Sequence, residues 1–328
     1  SAGIPLVSLG VLRKLPNPRP IFLLARLFQI WRPDIVHSHM VHANILARLV
    51  RPIVKVPLLI CSVHSIYEGG RLRELLYRLT DSQCDLTTQV SKAGLERYVR
   101  VGIVPRNKIC FIPNGVDTKR FHPCHESKHR LREELGLATN FGWLAVGRFD
   151  IPKDYSNMLK AFAIVAQCRP EARLIIVGDG PLRQVMAEFA KKLGLVNQVT
   201  FLGIRRDIPE LMNAADGYVM SSSWEGMANV LLEASATGLP IVATDVGGNG
   251  EVVQNNTTGF LVRPKGPEAL GGAMLSLMGL SNEERRQMGL NGRQYTEACY
   301  SMDRVADMWE NLYLDLLSVK GFGKKIMR

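Results

Sequence analysis

Paired cysteines are missing from this sequence. Its six cysteines (Cys61, Cys84, Cys110, Cys124, Cys168 and Cys299) lie far apart and form no C-x-x-C unit. That argues against a metal cluster or a disulfide framework and points to a reducing cytosol. Long apolar runs are missing as well. The longest candidate, residues 43–63, is broken by Arg48, Arg51, Lys55, Pro52 and Pro57, so no transmembrane helix is expected. No secretory signal is visible. There is no Walker A motif and no Asp-x-Asp pair. Acidic residues are scarce in the first third: residues 1–122 hold 18 Lys+Arg against 7 Asp+Glu, whereas the rest hold 23 of each. The whole net charge of +11 therefore belongs to that first third. Such asymmetry suits an anionic partner (a phosphorylated acceptor, an anionic membrane face or nucleic acid), with a solvated basic surface as the plain alternative.

What is present is a globular chain of 328 residues, 46% hydrophobic and 22% charged, long enough for two domains. It is organised around residues 221–251, SSSWEGMANVLLEASATGLPIVATDVGGNGE. This stretch reads as a loop, a helix, a short buried strand and a glycine loop. Glu225 stands just before the helix and Glu233 within it, with seven residues between them. Eight helical steps rise roughly 12 Å, a span that suits one extended ligand touched at both ends. Gly226 lets the backbone approach a ligand closely. The N–H groups of Gly226, Met227 and Ala228 are expected to open the helix, where unpaired donors and the helix dipole favour a phosphate. The alternative is an amphipathic helix packing Val230, Leu231 and Ala234 on a sheet beside solvated glutamates.

Around this stretch, strand and helix patterns alternate. Residues 20–31 carry Leu23, Leu24, Leu27, Phe28 and Trp31 at helical spacing behind a proline, among Arg13, Lys14, Arg19, Arg26 and Arg32. That stripe is expected to pack on a core, a membrane-leaning face being the alternative. A turn into a strand follows at 32–39, with further strands at 57–63, 86–90 and 109–112 and helices at 42–50, 71–80 and 92–101. His64 ends the second of these strands, at the edge where parallel sheets take ligands. It is a site candidate ahead of His37 and His39. Phe121-His122-Pro123 reads as an interdomain linker.

Beyond the linker, strands are expected at 141–146, 173–177, 199–202, 217–220, 241–244 and 259–262, and helices fill 267–317. The pattern predicts an α/β protein of two doubly wound parallel-sheet domains, with a ligand in the cleft between them. Arg148 and Lys153 follow a strand at Gly147. Both can reach one diphosphate, Arg as a fork and Lys as a point charge; a surface ion-pair role is the alternative. Without an acidic metal pair, charge on a leaving diphosphate falls to Arg, Lys and helix N–H groups. Gly178-Asp179-Gly180 alone is no dinucleotide fingerprint.

Taken in order, GRFDIPKDY, VGDGPL, FLG, AADGYVMSSSWEGMANVLLEASATGLPIVAT and VGGNGE resemble the retaining family 4 glycosyltransferases (glycosyl transferases group 1). PDIVHSHMVHAN and FIPNGVDTKRF match that family's style, so the likeness covers most of the chain. It implies the GT-B fold, with two Rossmann-like domains facing a cleft. Residues 1–122 would bind the acceptor, residues 123–300 the sugar nucleotide, and a C-terminal helix at 301–328 would cross back to the first domain.

Carried over by position, Arg148 and Lys153 would hold the donor diphosphate. Glu225 would contact the donor sugar's hydroxyls, and Glu233 the ribose. Gly226, Met227 and Ala228 would offer backbone N–H groups, and Gly203 and Ile204 would cradle the base. His64 matches the family's first-domain histidine near the reacting sugar, and the resemblance makes Glu225 and His64 the catalytic pair.

The likeness further implies a nucleotide-diphosphate sugar as donor, UDP-sugar first, and a glycan or lipid-diphosphate-linked acceptor of polysaccharide or lipopolysaccharide synthesis. Retention would proceed without metal or other cofactor, by front-face attack. The expected place is the cytoplasm, peripheral on the inner face of the membrane, with no nucleic-acid partner. The family's chains open with a strand and a Gly-rich loop, and SAGIPLVSLG starts past them. That segment is expected upstream of Ser1 or absent, and its absence would expose a sheet edge. The rival readings are a non-hydrolysing sugar-nucleotide epimerase and a non-catalytic basic binding protein.

Overall fold

The computed structural model describes residues 3–10, 18–124 and 128–320. The chain divides into two compact units. One comprises Ser1–Val90, Gly94–Ile112 and Met308–Arg328; the other comprises Ser91–Ala93 and Pro113–Asp307.

The first unit contains α1 (Arg19–Trp31), β1 (Ile35–His39), α2 (Val41–Val50), β2 (Leu58–Val63) and α3 (Arg71–Leu79). It continues with β3 (Leu86–Gln89), α4 (Lys92–Arg100), whose first two residues group with the other unit, and β4 (Ile109–Phe111). Among the described residues its sheet is four-stranded and parallel, in the order β1-β2-β3-β4. Side chains alternate along β2, as the strand period requires. Leu59 and Cys61 pack with Ala47 of α2, while Val63 joins Tyr77, Leu95 and Tyr98. Leu58 and Ile60 point the other way, onto Trp309, Tyr313, Leu316 and Leu317 of the final helix. Both faces of the sheet are thus covered, which is why β2 reads as an apolar run broken only by Ser62.

On α1 the predicted stripe divides. Ile21, Leu24, Ala25 and Phe28 pack with Val50 and Val54, whereas Trp31, read as part of the packed stripe, is 52% exposed.

The second unit holds α5 (Lys128–Glu134), β5 (Phe141–Val146), α6 (Tyr155–Cys168), β6 (Ala172–Val177), α7 (Arg183–Lys192) and β7 (Val199–Gly203). Next come α8 (Ile208–Ala214), β8 (Gly217–Met220), α9 (Asn229–Ala236), β9 (Ile241–Thr244), α10 (Asn249–Val252) and β10 (Gly259–Val262). Last are α11 (Pro267–Gly279), α12 (Asn282–Tyr300) and α13 (Met302–Val319), whose residues from Met308 onward belong to the first unit. The sheet is parallel, in the order β10-β9-β8-β5-β6-β7. Its core is built where Trp143 and Ala145 of β5 and Leu174 and Ile176 of β6 meet Leu159, Phe162 and Val165 of α6 and Leu270, Met274 and Leu277 of α11.

Two local expectations change. The chain enters the second unit at Pro113, ahead of the Phe121-His122-Pro123 linker, because Val116 pairs with Ser301 there. Part of the glycine loop 247–251 winds into α10.

Candidate functional site

In the second unit, strand succession reverses between the neighbours β5 and β8. Loops leaving the carboxyl ends of two such strands diverge, and the crevice between them is where open parallel sheets bind ligands. Here the two loops meet through charge. Lys153 Nζ lies 2.6 Å from Glu225 Oε1, the side chains being 22% and 14% exposed. Ser222 Oγ donates to the same carboxylate oxygen at 2.8 Å.

Sequence reasoning misses the residues that hold this junction. Ser221 Oγ donates to the carbonyls of Lys153 and Asp154 at 2.8 and 2.9 Å. Ser223 donates its N–H to the Pro152 carbonyl and its hydroxyl to Asp154 Oδ2. Asp154 itself adopts φ +45 and accepts from the N–H of Asn157, capping α6. Thr244 Oγ1 donates to the Ser222 carbonyl at 2.6 Å. The available signal was the run of three serines at a strand exit, since short hydroxyl side chains readily bond local backbone.

Close backbone approach explains the glycines. A Cβ on Gly247, whose φ is +56, would stand 2.1 Å from the Glu225 carbonyl oxygen. The N–H of Gly248 donates to the Gly226 carbonyl at 2.7 Å. The glycine loop therefore lies directly on the Glu225–Gly226 backbone, where a larger residue has no room. At the other end of the rim, a Cβ on Gly178 would stand 2.0 Å from the Gly147 carbonyl oxygen, and the N–H of Gly178 donates to the Gly203 carbonyl at 2.8 Å. Gly203 closes β7 itself, and Ile204 beyond it is 77% exposed.

The helix after Glu225 starts later than expected. It begins at Asn229 with extended Ala228 as its cap, so Gly226 and Met227 precede it. The Gly248 bond, and a bond from Asn114 Nδ2 to the Met227 carbonyl at 3.1 Å, anchor this segment ahead of the helix. Of the eight helical steps expected between Glu225 and Glu233, only the last four are helical. Asn114 was legible only as part of a turn.

Glu233, on α9, is partly buried, and that burial raises its pKa against the opposing pull of Arg120. Among the described residues no side-chain hydrogen bond engages its carboxylate. Arg148 stays on the loop surface, 64% exposed and 3.8 Å from Asp150.

In the first unit, His64 follows β2 beside the end of β1. His39 Nδ1 and His64 Nε2 lie 3.0 Å apart. The His37 ring packs at a tilt against two others, its centroid 4.1 Å from that of His39 and 4.5 Å from that of Trp309. It hydrogen-bonds Tyr313 OH at 2.7 Å and Ser62 Oγ at 2.6 Å. Burial lowers all three histidine pKa values, His37 to about 3, and mutual repulsion adds to the effect on His37 and His64. The three form one neutral cluster, in which sequence alone favoured only His64.

A family model described as Glycosyl transferases group 1 matches residues 127–295, and one described as Glycosyltransferase Family 4 matches residues 3–120. The chain belongs to the group 1 glycosyltransferases. A relative in Escherichia coli, UDP-Gal:alpha-D-GlcNAc-diphosphoundecaprenol alpha-1,3-galactosyltransferase, is 28% identical over 316 residues, covering 92% of this chain and 81% of that protein. The GDP-mannose-dependent alpha-(1-6)-phosphatidylinositol monomannoside mannosyltransferase of Mycobacterium tuberculosis is 29% identical over 243 residues, covering 71% of this chain and 62% of that protein.

Among solved structures, Anabaena HepE in complex with UDP matches with a TM-score of 0.81 at 23% identity, over 90% of this chain and 82% of that one. Sucrose-phosphate synthase from Thermosynechococcus elongatus matches with a TM-score of 0.83 at 24% identity, over 92% and 78%. The fold is GT-B, and this group 1 glycosyltransferase is a retaining family 4 enzyme that uses nucleotide-sugar donors. Among its described residues no helix is long and apolar enough to cross a membrane.

Proposed function

We propose that this glycosyltransferase takes a UDP-sugar and transfers the sugar, with retention, to a lipid-diphosphate-linked glycan. The observation that carries the donor half is the Lys153–Glu225 pair, at 2.6 Å where the strand order reverses. A donor diphosphate offers Lys153 a stronger partner, and Glu225 then accepts from the hydroxyls of the donor sugar. Arg148, only loosely paired, closes its fork on the same diphosphate. The backbone N–H groups of Gly226, Met227 and Ala228 add donors. Glu233 accepts from the ribose hydroxyls, and Gly203 and Ile204 cradle the base.

Positive groups fixed in place would stabilise the departing diphosphate, so the reaction would need no metal or other cofactor. The leaving phosphate would take the acceptor's proton in a front-face attack. UDP is favoured because the E. coli relative's name carries UDP-Gal and HepE is solved with UDP.

For the acceptor half, the E. coli relative's name carries a diphosphoundecaprenol-linked GlcNAc, and the +11 of residues 1–122 suits a diphosphate. Those residues would receive the acceptor with His64 beside the reacting sugar, residues 123–300 would hold the donor, and residues 301–328 would return to the first domain. That excess of positive charge would also suit a position at the anionic inner face of a membrane.

Thermal unfolding in the presence of UDP, GDP or ADP, with magnesium or with a chelator, tests the donor half. The expected result is a rise in melting temperature with UDP alone, unchanged by chelation. A rise with GDP or ADP instead would overturn the choice of base, and no rise with any of them would overturn the donor assignment. In turnover with UDP-sugars, Glu225→Ala should abolish transfer while leaving the fold intact.

A further inference from the structure

Helix α3 is turned inside out. Its leucines Leu72, Leu75, Leu76 and Leu79 recur at the spacing that ordinarily faces a core, yet they are 70%, 44%, 37% and 69% exposed. The polar side is the one turned to the protein. Arg73 Nη1 donates to the Glu68 carbonyl at 2.7 Å, Glu74 pairs with Arg97, and Arg78 donates to the carbonyls of Gly102 and Val101, both at 2.7 Å. Tyr77 is buried, with its hydroxyl between Asn44 and Glu68. Rotating the leucines inward would break every one of these bonds, so their outward orientation is built in.

We propose that α3 docks the enzyme on an anionic lipid bilayer, laying its leucine stripe into the boundary between headgroups and acyl chains. A short helix with leucines on one face and arginines beside them suits binding in the plane of a membrane surface. Charge complementarity selects the occupant: residues 1–122 carry the whole +11 of the chain, and an anionic leaflet attracts such a surface. A second copy of the chain would instead set two basic surfaces against each other.

Helix α1 contributes in the same unit. Phe22, Ile30 and Trp31 are 67%, 63% and 52% exposed, Arg26 and Arg32 are exposed beside them, and α1 packs on α2 as α2 does on α3. This docking surface goes beyond the donor reading and stands without it.

The test is sedimentation of the full chain with vesicles of phosphatidylcholine alone and of phosphatidylcholine mixed with phosphatidylglycerol. Binding is expected only to the mixed vesicles and weakens with salt. Leu72→Glu combined with Leu79→Glu lowers it at least about tenfold, and Arg71→Glu lowers it about fivefold. These positions are exposed, so melting temperature and UDP stabilisation stay at wild-type values. Unchanged binding by the leucine variant, or a wild type that ignores phosphatidylglycerol, overturns the proposal. So does a wild-type dimer that the leucine variant turns into a monomer, because the stripe would then be a self-association face.

Discussion

Lys153 and Glu225, 72 positions apart in sequence, stand 2.6 Å apart at the carboxyl ends of two neighbouring strands. Glu225 keeps the Ser222 hydroxyl as a second partner, so Lys153 can be removed without leaving the carboxylate bare. Lys153→Met is therefore expected to fold, at a cost of about 1–3 kcal/mol for the lost partner. It should lose UDP stabilisation and about 10²–10³ in kcat/KM. Wild-type turnover in this variant would remove Lys153 from the diphosphate.

Gly247 is the steric counterpart of that pair. Gly247→Ala puts a methyl 2.1 Å from the Glu225 carbonyl oxygen at a φ of +56, strain worth about 1–3 kcal/mol. The Glu225–Met227 backbone must shift, so UDP stabilisation should disappear while the far-ultraviolet dichroism stays native. The control is Gly272→Ala on α11, where a Cβ meets nothing within 4 Å. That change should raise stability by about 0.5–1 kcal/mol. Equal effects of the two substitutions would contradict the close approach.

His39 holds His64 by one hydrogen bond of 3.0 Å, and repulsion from His39 adds to burial in lowering the His64 pKa. His39→Ala therefore raises the His64 pKa toward its ordinary value. If neutral His64 serves transfer, the acid limb of the kcat/KM profile moves to higher pH. An unmoved limb would separate His39 from the chemistry.

His37 sets an acid limit on stability. Its pKa falls to about 3 in the fold, chiefly by burial and then by repulsion from His39 and His64; unfolded, it returns to about 6.5. Above that value both states are neutral and nothing is lost. As pH falls from 6.5 toward 3, the unfolded chain takes the proton first, and stability declines by about 1.4 kcal/mol per pH unit for this group. His37→Gln should flatten urea-unfolding free energies measured between about pH 7 and about pH 4 by one proton. A slope identical to wild type would refute the assignment.

Much of the second unit was legible in advance. The strands at 141–146, 217–220, 241–244 and 259–262 coincide with β5, β8, β9 and β10 to the residue, because buried parallel strands are short apolar runs between glycine-rich turns. The start of α9 was not legible: it depends on the bond from Gly248 to Gly226, which no local propensity encodes. The histidine cluster was equally hidden, since His37 finds Tyr313 across 276 positions.

The sequence by itself determined the alternation of strands and helices, the order of the motifs and therefore the family, all of them written in local period and punctuation. Only the tertiary structure decided that Lys153 meets Glu225, that three histidines share one neutral cluster, and that the leucines of α3 face outward. Periodicity says which residues share a face of a helix, but not which way that face turns. On α3 the direction is set by bonds from Arg73, Glu74, Tyr77 and Arg78 to partners elsewhere in the chain.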